Sequence, residues 1–201
     1  MAFDPDADAG SLLQAKAELR KRMRALRSSI PAEARVLRSK EIVRRVAACA
    51  PFGRAKGVGL FWPMLERGEV DVRPLDAIAR SGGKVVAYPF FEGPGDMTLR
   101  IAAPDALAPR GHGFAEPPES APVVETDPGL VIVVPALAVD LAGNRLGYGV
   151  GFYDRIIARM APPAFTIAVA YDFQVVADLP AIEGDQAVAM VITDAREHVV
   201  G

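Results

Sequence analysis

The densest run of chemically useful residues is Val139-Asp-Leu-Ala-Gly-Asn-Arg-Leu-Gly-Tyr-Gly-Val-Gly-Phe-Tyr-Asp-Arg155. Gly147, Gly149 and Gly151 alternate, which lets backbone N–H groups approach an anion closely and permits positive φ angles. A loop of this kind opening a helix presents unpaired amides and the positive dipole end to phosphate. Arg145 adds a permanent charge and a planar fork for phosphate oxygens. Asp154, in the first helical turn, offers a hard oxygen ligand for Mg²⁺, which favours carboxylates together with substrate phosphates. The spacing is neither a G-x-G-x-x-G dinucleotide fingerprint nor a Walker A loop, because no Gly-Lys-Ser/Thr follows. The plainer alternative is a glycine-rich turn in which Asp154 caps a helix and Arg145 is solvated.

Lys16 and Arg20 extend the candidate anion site, although a solvated helix face is the usual fate of a basic run. Arg22, Arg24 and Arg27 are read as solvated. Glu69 follows a strand and a glycine, where α/β folds place ligands; a surface carboxylate is the alternative. Trp62 and Met64 suit the wall of a pocket for a flat, apolar group. Tyr148 and Tyr153 are packing or lining residues, with Tyr153 favoured for lining. His112 and His198 have no second His or acid at a metal-like spacing and receive no role. Cys49 reads as a small buried hydrophobe.

Positioning these residues requires strands alternating with helices. Leu12, Ala15, Leu19, Met23 and Leu26 share one helical face from Ser11 onward, and Lys16, Arg20, Arg24 and Arg27 line the adjacent one. A second helix begins at Pro31 and ends before Pro51. Apolar, β-branched runs at 57–62, 84–89, 130–134, 166–170 and 187–193 read as strands, with 97–102 as an edge strand. Pro74–Ser81 and Phe152–Met160 read as helices. The pattern predicts an α/β three-layer sandwich, its mainly parallel sheet covered by helices on both faces. The Pro- and Gly-rich stretch 104–128 is an ordered surface loop, residues 1–10 a flexible leader, and 11–201 a single domain.

Composition bounds the partners. The chain has 201 residues, 51% hydrophobic and 24% charged, with a formal net charge of −2, an ordinary globular composition. Of 23 Lys and Arg, 11 fall between Lys16 and Arg45, so that stretch is locally basic. One cysteine permits neither an internal disulfide nor a cysteine zinc site, and no apolar run is long enough to span a bilayer. The expectation is a cytoplasmic protein with neither membrane nor nucleic-acid partner.

The run from Gly143 to Asp154 resembles the signature of the 5-formyltetrahydrofolate cyclo-ligase (methenyltetrahydrofolate synthetase) family. Lys16-x-x-Leu-Arg20, Trp62-Pro-Met64 with Gly68-Glu-Val-Asp71, Phe114-x-Glu-Pro117 and Gln174-Val-Val-x-x-Leu-Pro180 follow in the family's order. The resemblance thus spans nearly the whole chain. It implies ATP-driven conversion of 5-formyltetrahydrofolate to 5,10-methenyltetrahydrofolate by a monomer. It also implies ATP contacts from Lys16, Arg20, Arg145, Gly147, Gly149, Gly151 and Asp154, and folate contacts from Trp62, Met64, Glu69, Tyr148, Phe152 and Tyr153. Arg145 and Tyr153 take catalytic roles, and Asp154 and Asp185 hold Mg²⁺. Phe152 stands where the family often has Tyr, and Val150 where it commonly has Gly or a basic residue. Around Asp185 the context is Glu-Gly-Asp-Gln rather than Pro-His-Asp. Two rivals stay open: a non-catalytic nucleotide or nucleic-acid binding module, and an ATP-dependent enzyme for another small anion.

Overall fold

The computed structural model describes residues 5–93, 96–111 and 113–201; His112 lies outside them. Prolines mark most helix starts, since a missing N–H is tolerated in a first turn. Helix α1 spans Pro5–Ser29, and α2 spans Ala32–Ala48 with Pro31 as its N-cap. Helix α3 is a short Ala50–Arg54 segment carrying Pro51 in its first turn, and α4 spans Pro74–Ser81. Helix α5, Phe152–Met160, is capped by Gly151 at φ 71°. Two expectations shift. Residues 5–10, assigned to a flexible leader, are helical and continue into α1, in keeping with the helix preference of their alanines. Residues 50–54 start a new helix instead of simply following α2.

The strands are β1 (Gly57–Gly59), β2 (Val85–Gly93), β3 (Asp96–Ile101), β4 (Ala108–Pro109), β5 (Ala115–Glu116), β6 (Leu130–Pro135), β7 (Ala138–Val139), β8 (Arg145–Leu146), β9 (Phe165–Val169), β10 (Met190–Ile192) and β11 (Glu197–Val199). Seven form the main sheet in the order β11-β10-β9-β6-β1-β2-β3. Its five inner strands are parallel, with Val58 opposite both Val86 and Val131. The edge strands β3 and β11 run antiparallel to their neighbours. Strand β1 is shorter than the expected 57–62: Leu60 still donates its N–H to Ala87 O and packs in the core, and the chain turns into the cleft wall from Phe61 onward. Strand β10 is trimmed too: Val188 N–H goes to Gly143 O and Ala189 N–H to Thr166 Oγ1.

Side-chain alternation explains the layers. Val131 and Val133 face a cluster holding Ile42 and Val46 of α2, Phe52 of α3 and Leu75 of α4. Leu130, Ile132 and Val134 face the opposite cluster, with Ile156, Ile157 and Met160 of α5. Fully burying each large side chain contributes roughly 1.5–3 kcal/mol, so both helical layers are held by the sheet. The expected three-layer sandwich is the observed one. A third, smaller cluster fastens α1, with Met23 packed on Leu137, Leu146 and Leu179. Within 104–128, β4 and β5 pair, and buried Glu116 accepts the Phe91 N–H at 2.8 Å.

Candidate functional site

The strand order reverses direction between β1 and β6: connections from β1 run toward β2, those from β6 toward β9. Such a reversal leaves a crevice outside the carboxyl ends of the strands. A cleft of about 510 Å³ lies there, bounded by Phe61, Trp62 and Met64 after β1 and by Pro135, Ala136 and Leu137 at the end of β6 and just beyond it. Helix α1, the loop 145–155 and the segment 182–185 close its other sides.

The wall after β1 ends in a turn, Leu65–Arg67, and Gly68 at φ 69° swings Glu69 back toward the cleft. Glu69 is buried. Its Oε2 accepts the Met64 N–H at 2.8 Å, and its Oε1 accepts the Tyr148 hydroxyl at 2.9 Å. Burial pushes its carboxyl above the usual range, against the pull of those two donors and of the Arg27 and Arg67 charges. The Tyr148 oxygen accepts Arg27 Nη2 at 2.5 Å, and burial and Glu69 raise its hydroxyl pKa. Trp62 stands edge-on to Tyr88 at 6.0 Å; the Tyr88 hydroxyl donates to Asp76, which also binds Arg80.

The glycine-rich loop grows from the β7–β8 hairpin. Buried Asp140 accepts N–H groups of Ala142, Asn144 and Leu179, which fixes the turn before Arg145. Gly143 (φ 86°) must be glycine, because a Cβ there would lie 2.6 Å from Val188 O. Arg145 is almost wholly buried and donates from Nη2 to Asp154 Oδ1 at 2.7 Å. Its Nε is buried without a partner among the described residues. Burial pulls this guanidinium below its ordinary pKa, opposed by Asp154 and then Tyr153 and Asp185. Gly149 (φ 100°) and Gly151 use left-handed backbone, whereas Gly147 does not. The Gly147 carbonyl instead accepts Arg20 Nε at 3.0 Å. Lys16 forms an ion pair with Asp185. The plain-turn alternative, with a solvated Arg145, is not what the chain adopts.

All the expected site residues border this cleft: Lys16, Arg20, Trp62, Met64, Glu69, Arg145, Gly147, Tyr148, Gly149, Gly151, Phe152, Tyr153, Asp154 and Asp185. Phe152 forms an apolar lobe with Phe91 at 5.5 Å and Phe114 at 6.3 Å. Burial pushes the Tyr153 hydroxyl far above its ordinary pKa, so it stays protonated at neutral pH. Among the described residues no three His, Cys, Asp or Glu side chains gather as a metal site. Asp154 Oδ1 and Asp185 Oδ2 carry the bonds given above plus N–H groups of Gln186 and Ile182. The second oxygen of each is unbonded among the described residues. That donor set fits a Mg²⁺ ion held mainly by nucleotide phosphates, with one or two carboxylates completing it.

Arg27 is a correction. Expected to be solvated, it is 3% exposed; its signal was the 16, 20, 23, 27 spacing, one stripe on α1 shared with core Met23. Tyr171 and Gln174 support the site from behind, through bonds that no local sequence pattern marks. Tyr171 donates to Glu69 O at 3.2 Å, and Gln174 Nε2 to Leu137 O at 2.7 Å. Cys49 is buried as expected, and His198 bonds Leu141 O at 2.8 Å, away from the cleft.

A mainly parallel sheet with a basic, glycine-rich loop and an aromatic, carboxylate-bearing wall on one cleft is the arrangement of an α/β enzyme. Residues 13–194 match the 5-formyltetrahydrofolate cyclo-ligase family, and the chain belongs to that family. It is 34% identical to 5-formyltetrahydrofolate cyclo-ligase of Mycolicibacterium smegmatis, covering 91% of this chain and 95% of that one. It is 30% identical to the Mus musculus enzyme of the same name, over 88% and 90% of the two chains. The NMR structure of Aquifex aeolicus 5,10-methenyltetrahydrofolate synthetase superposes with a TM-score of 0.80 at 31% identity, over 92% of each chain.

Proposed function

We propose that this chain is a monomeric, cytoplasmic enzyme that converts 5-formyltetrahydrofolate and ATP to 5,10-methenyltetrahydrofolate, ADP and phosphate. The observation that carries the reading is the division of one cleft. Lys16, Arg20, Arg145 and the 147–151 loop gather positive charge and backbone donors on one side. Trp62, Met64 and the buried Glu69 face them as a flat wall with a carboxylate suited to pterin N–H groups.

A formamide oxygen is a poor leaving group and N10 a weak nucleophile. The formyl oxygen attacks the γ-phosphorus, the bond to ADP breaks, and an iminium phosphate results. N10 then bonds the formyl carbon, the C–O bond breaks with release of phosphate, and N10 loses its proton. The protein's task is alignment and charge neutralisation. Arg145, with its unused Nε, meets charge developing on the transferred phosphoryl group. Tyr153 supplies a protonated hydroxyl beside it. Lys16 and Arg20 bind the nucleotide phosphates; the apolar lobe around Phe152 excludes water from the folate side. Mg²⁺ carried by the phosphates would neutralise their oxygens, held by Asp154 with Asp185.

The test is the ultraviolet absorbance of the methenyl product on mixing protein, 5-formyltetrahydrofolate and Mg-ATP. A rise abolished by EDTA and by Asp154→Asn supports the reading. A rise undiminished in Asp154→Asn removes the metal assignment, and no rise with nucleotide bound points to another substrate. Of the basic stretch that favours the rival nucleic-acid module, Lys16 and Arg27 are buried and Arg38, Arg44 and Arg45 pair with carboxylates, whereas Lys21, Arg22, Arg24 and Lys40 stay exposed, so the salt dependence of any nucleic-acid binding is the test of that rival.

A further inference from the structure

The folate wall is backed by a charge that does not itself line the cleft. Arg27 lies behind Tyr148, and its Nη2 donates to the Tyr148 oxygen at 2.5 Å. Arginine has no acceptor and Tyr148 has one proton, so that proton is committed to Glu69 Oε1 at 2.9 Å. The Met64 N–H holds the other carboxylate oxygen at 2.8 Å. Arg27 also has a buried Nε with no partner among the described residues. A residue serving packing alone needs no such buried charge; leucine or methionine would fill the space.

We infer that Arg27 is a positioning residue for the folate, acting through Tyr148 to hold Glu69 as an oriented, ionised carboxylate. The inference rests on the proposed role of Glu69 as acceptor for the pterin. Donation by Arg27 polarises the Tyr148 O–H and strengthens its bond to the carboxylate. Other groups share this surrounding. Arg67 lies 5.5 Å from the Tyr148 ring centroid, and Tyr153 approaches from α5. Arg35 of α2 packs over Gly68, and the Tyr171 hydroxyl donates to the Glu69 carbonyl. Of these, only Arg27 is hydrogen-bonded to the hydroxyl that donates to the carboxylate. One helix therefore carries cations for both substrates, Lys16 and Arg20 toward nucleotide and Arg27 toward folate.

The test is the pH profile of kcat/KM for 5-formyltetrahydrofolate at saturating ATP, with KM for ATP measured alongside. In the wild type an acid limb marks ionisation of Glu69, and Glu69→Gln abolishes it. Arg27→Met moves the limb to higher pH and raises folate KM about tenfold, with KM for ATP nearly unchanged; Arg27→Lys restores part of the loss. Titration of the ¹³C-labelled Glu69 carboxyl in the free protein shows the same displacement without turnover. Should Arg27→Met fail to fold by circular dichroism, Tyr148→Phe breaks the same link and moves the limb the same way. An unmoved limb in the folded variant, or equal losses for both substrates, overturns the inference. If Glu69→Gln keeps the limb, the Glu69 reading falls first; if it abolishes the limb while Arg27→Met does not move it, only the role of Arg27 falls.

Discussion

At the scale of single residues, the cleft holds charge against solvation. Glu69 has a carboxyl raised chiefly by burial, so its folded pKa exceeds its unfolded one. The sign follows: the unfolded chain releases this proton first, and the associated stability, full below the unfolded pKa, is lost as pH rises through the folded one. Thermal melts from pH 4 to pH 8 should therefore show a component of stability that declines with pH in the wild type and is absent in Glu69→Gln. Parallel profiles for the two proteins would sink the assignment. Glu69, Arg145 and Asp154 were legible as candidates, but residue type and spacing alone left a surface carboxylate, a solvated arginine and a helix cap open, and the family resemblance tipped the reading; the structure places all three on one cleft. Arg27 was not legible, since a 3.6-residue period puts cations and apolar groups on adjoining stripes without saying which turns inward. Tyr148 was legible as a lining candidate, but its two partners come from positions 27 and 69, which no local pattern joins.

At the scale of elements, α1 is attached mainly through the site it helps to build. Its apolar anchorage is one small cluster around Met23, and its polar anchors are Lys16, Arg20 and Arg27. An element with few buried apolar contacts opens at low free-energy cost. Hydrogen exchange should show α1 amides from 11 to 29 less protected than those of β6 in the free protein. Addition of Mg-ATP should slow α1 and the 145–151 loop together. Unchanged α1 exchange with bound nucleotide would remove Lys16 and Arg20 from the phosphate site. Helices α4 and α5 kept their expected bounds because amphipathic periodicity and start signals coincide there. Strand ends were less legible: residues 60–62 look like strand by composition, yet β1 stops at Gly59, with Leu60 kept in the core and Phe61 and Trp62 turned to the cleft.

At the scale of the whole molecule, strand order decides where chemistry happens. Apolar runs alternating with helices implied a parallel sheet, but they cannot say that β1 and β6 are neighbours. That adjacency creates the crevice. Because the cleft is formed only in the folded chain, a ligand filling it stabilises the whole domain. At a hundredfold excess over Kd the gain is about 2.7 kcal/mol, and each kcal/mol shifts Tm by roughly 2–4 °C at this size. Calorimetry with Mg-ATP should thus show a rise of about 5–10 °C, reversed by EDTA. A nucleotide shift insensitive to EDTA would argue against a metal-carrying complex.

The span between α1 and its partners has a consequence for how the protein is made. Lys16 meets Asp185 across 169 positions, Arg20 meets Gly147 across 127 and Arg27 meets Tyr148 across 121. During synthesis α1 leaves the ribosome before any of these contacts exists, and its loop-closure entropy must be met before they form. None of the three can close before residues 147, 148 and 185 have been made, so a complete cleft requires the stretch from 16 to 185 to be in place.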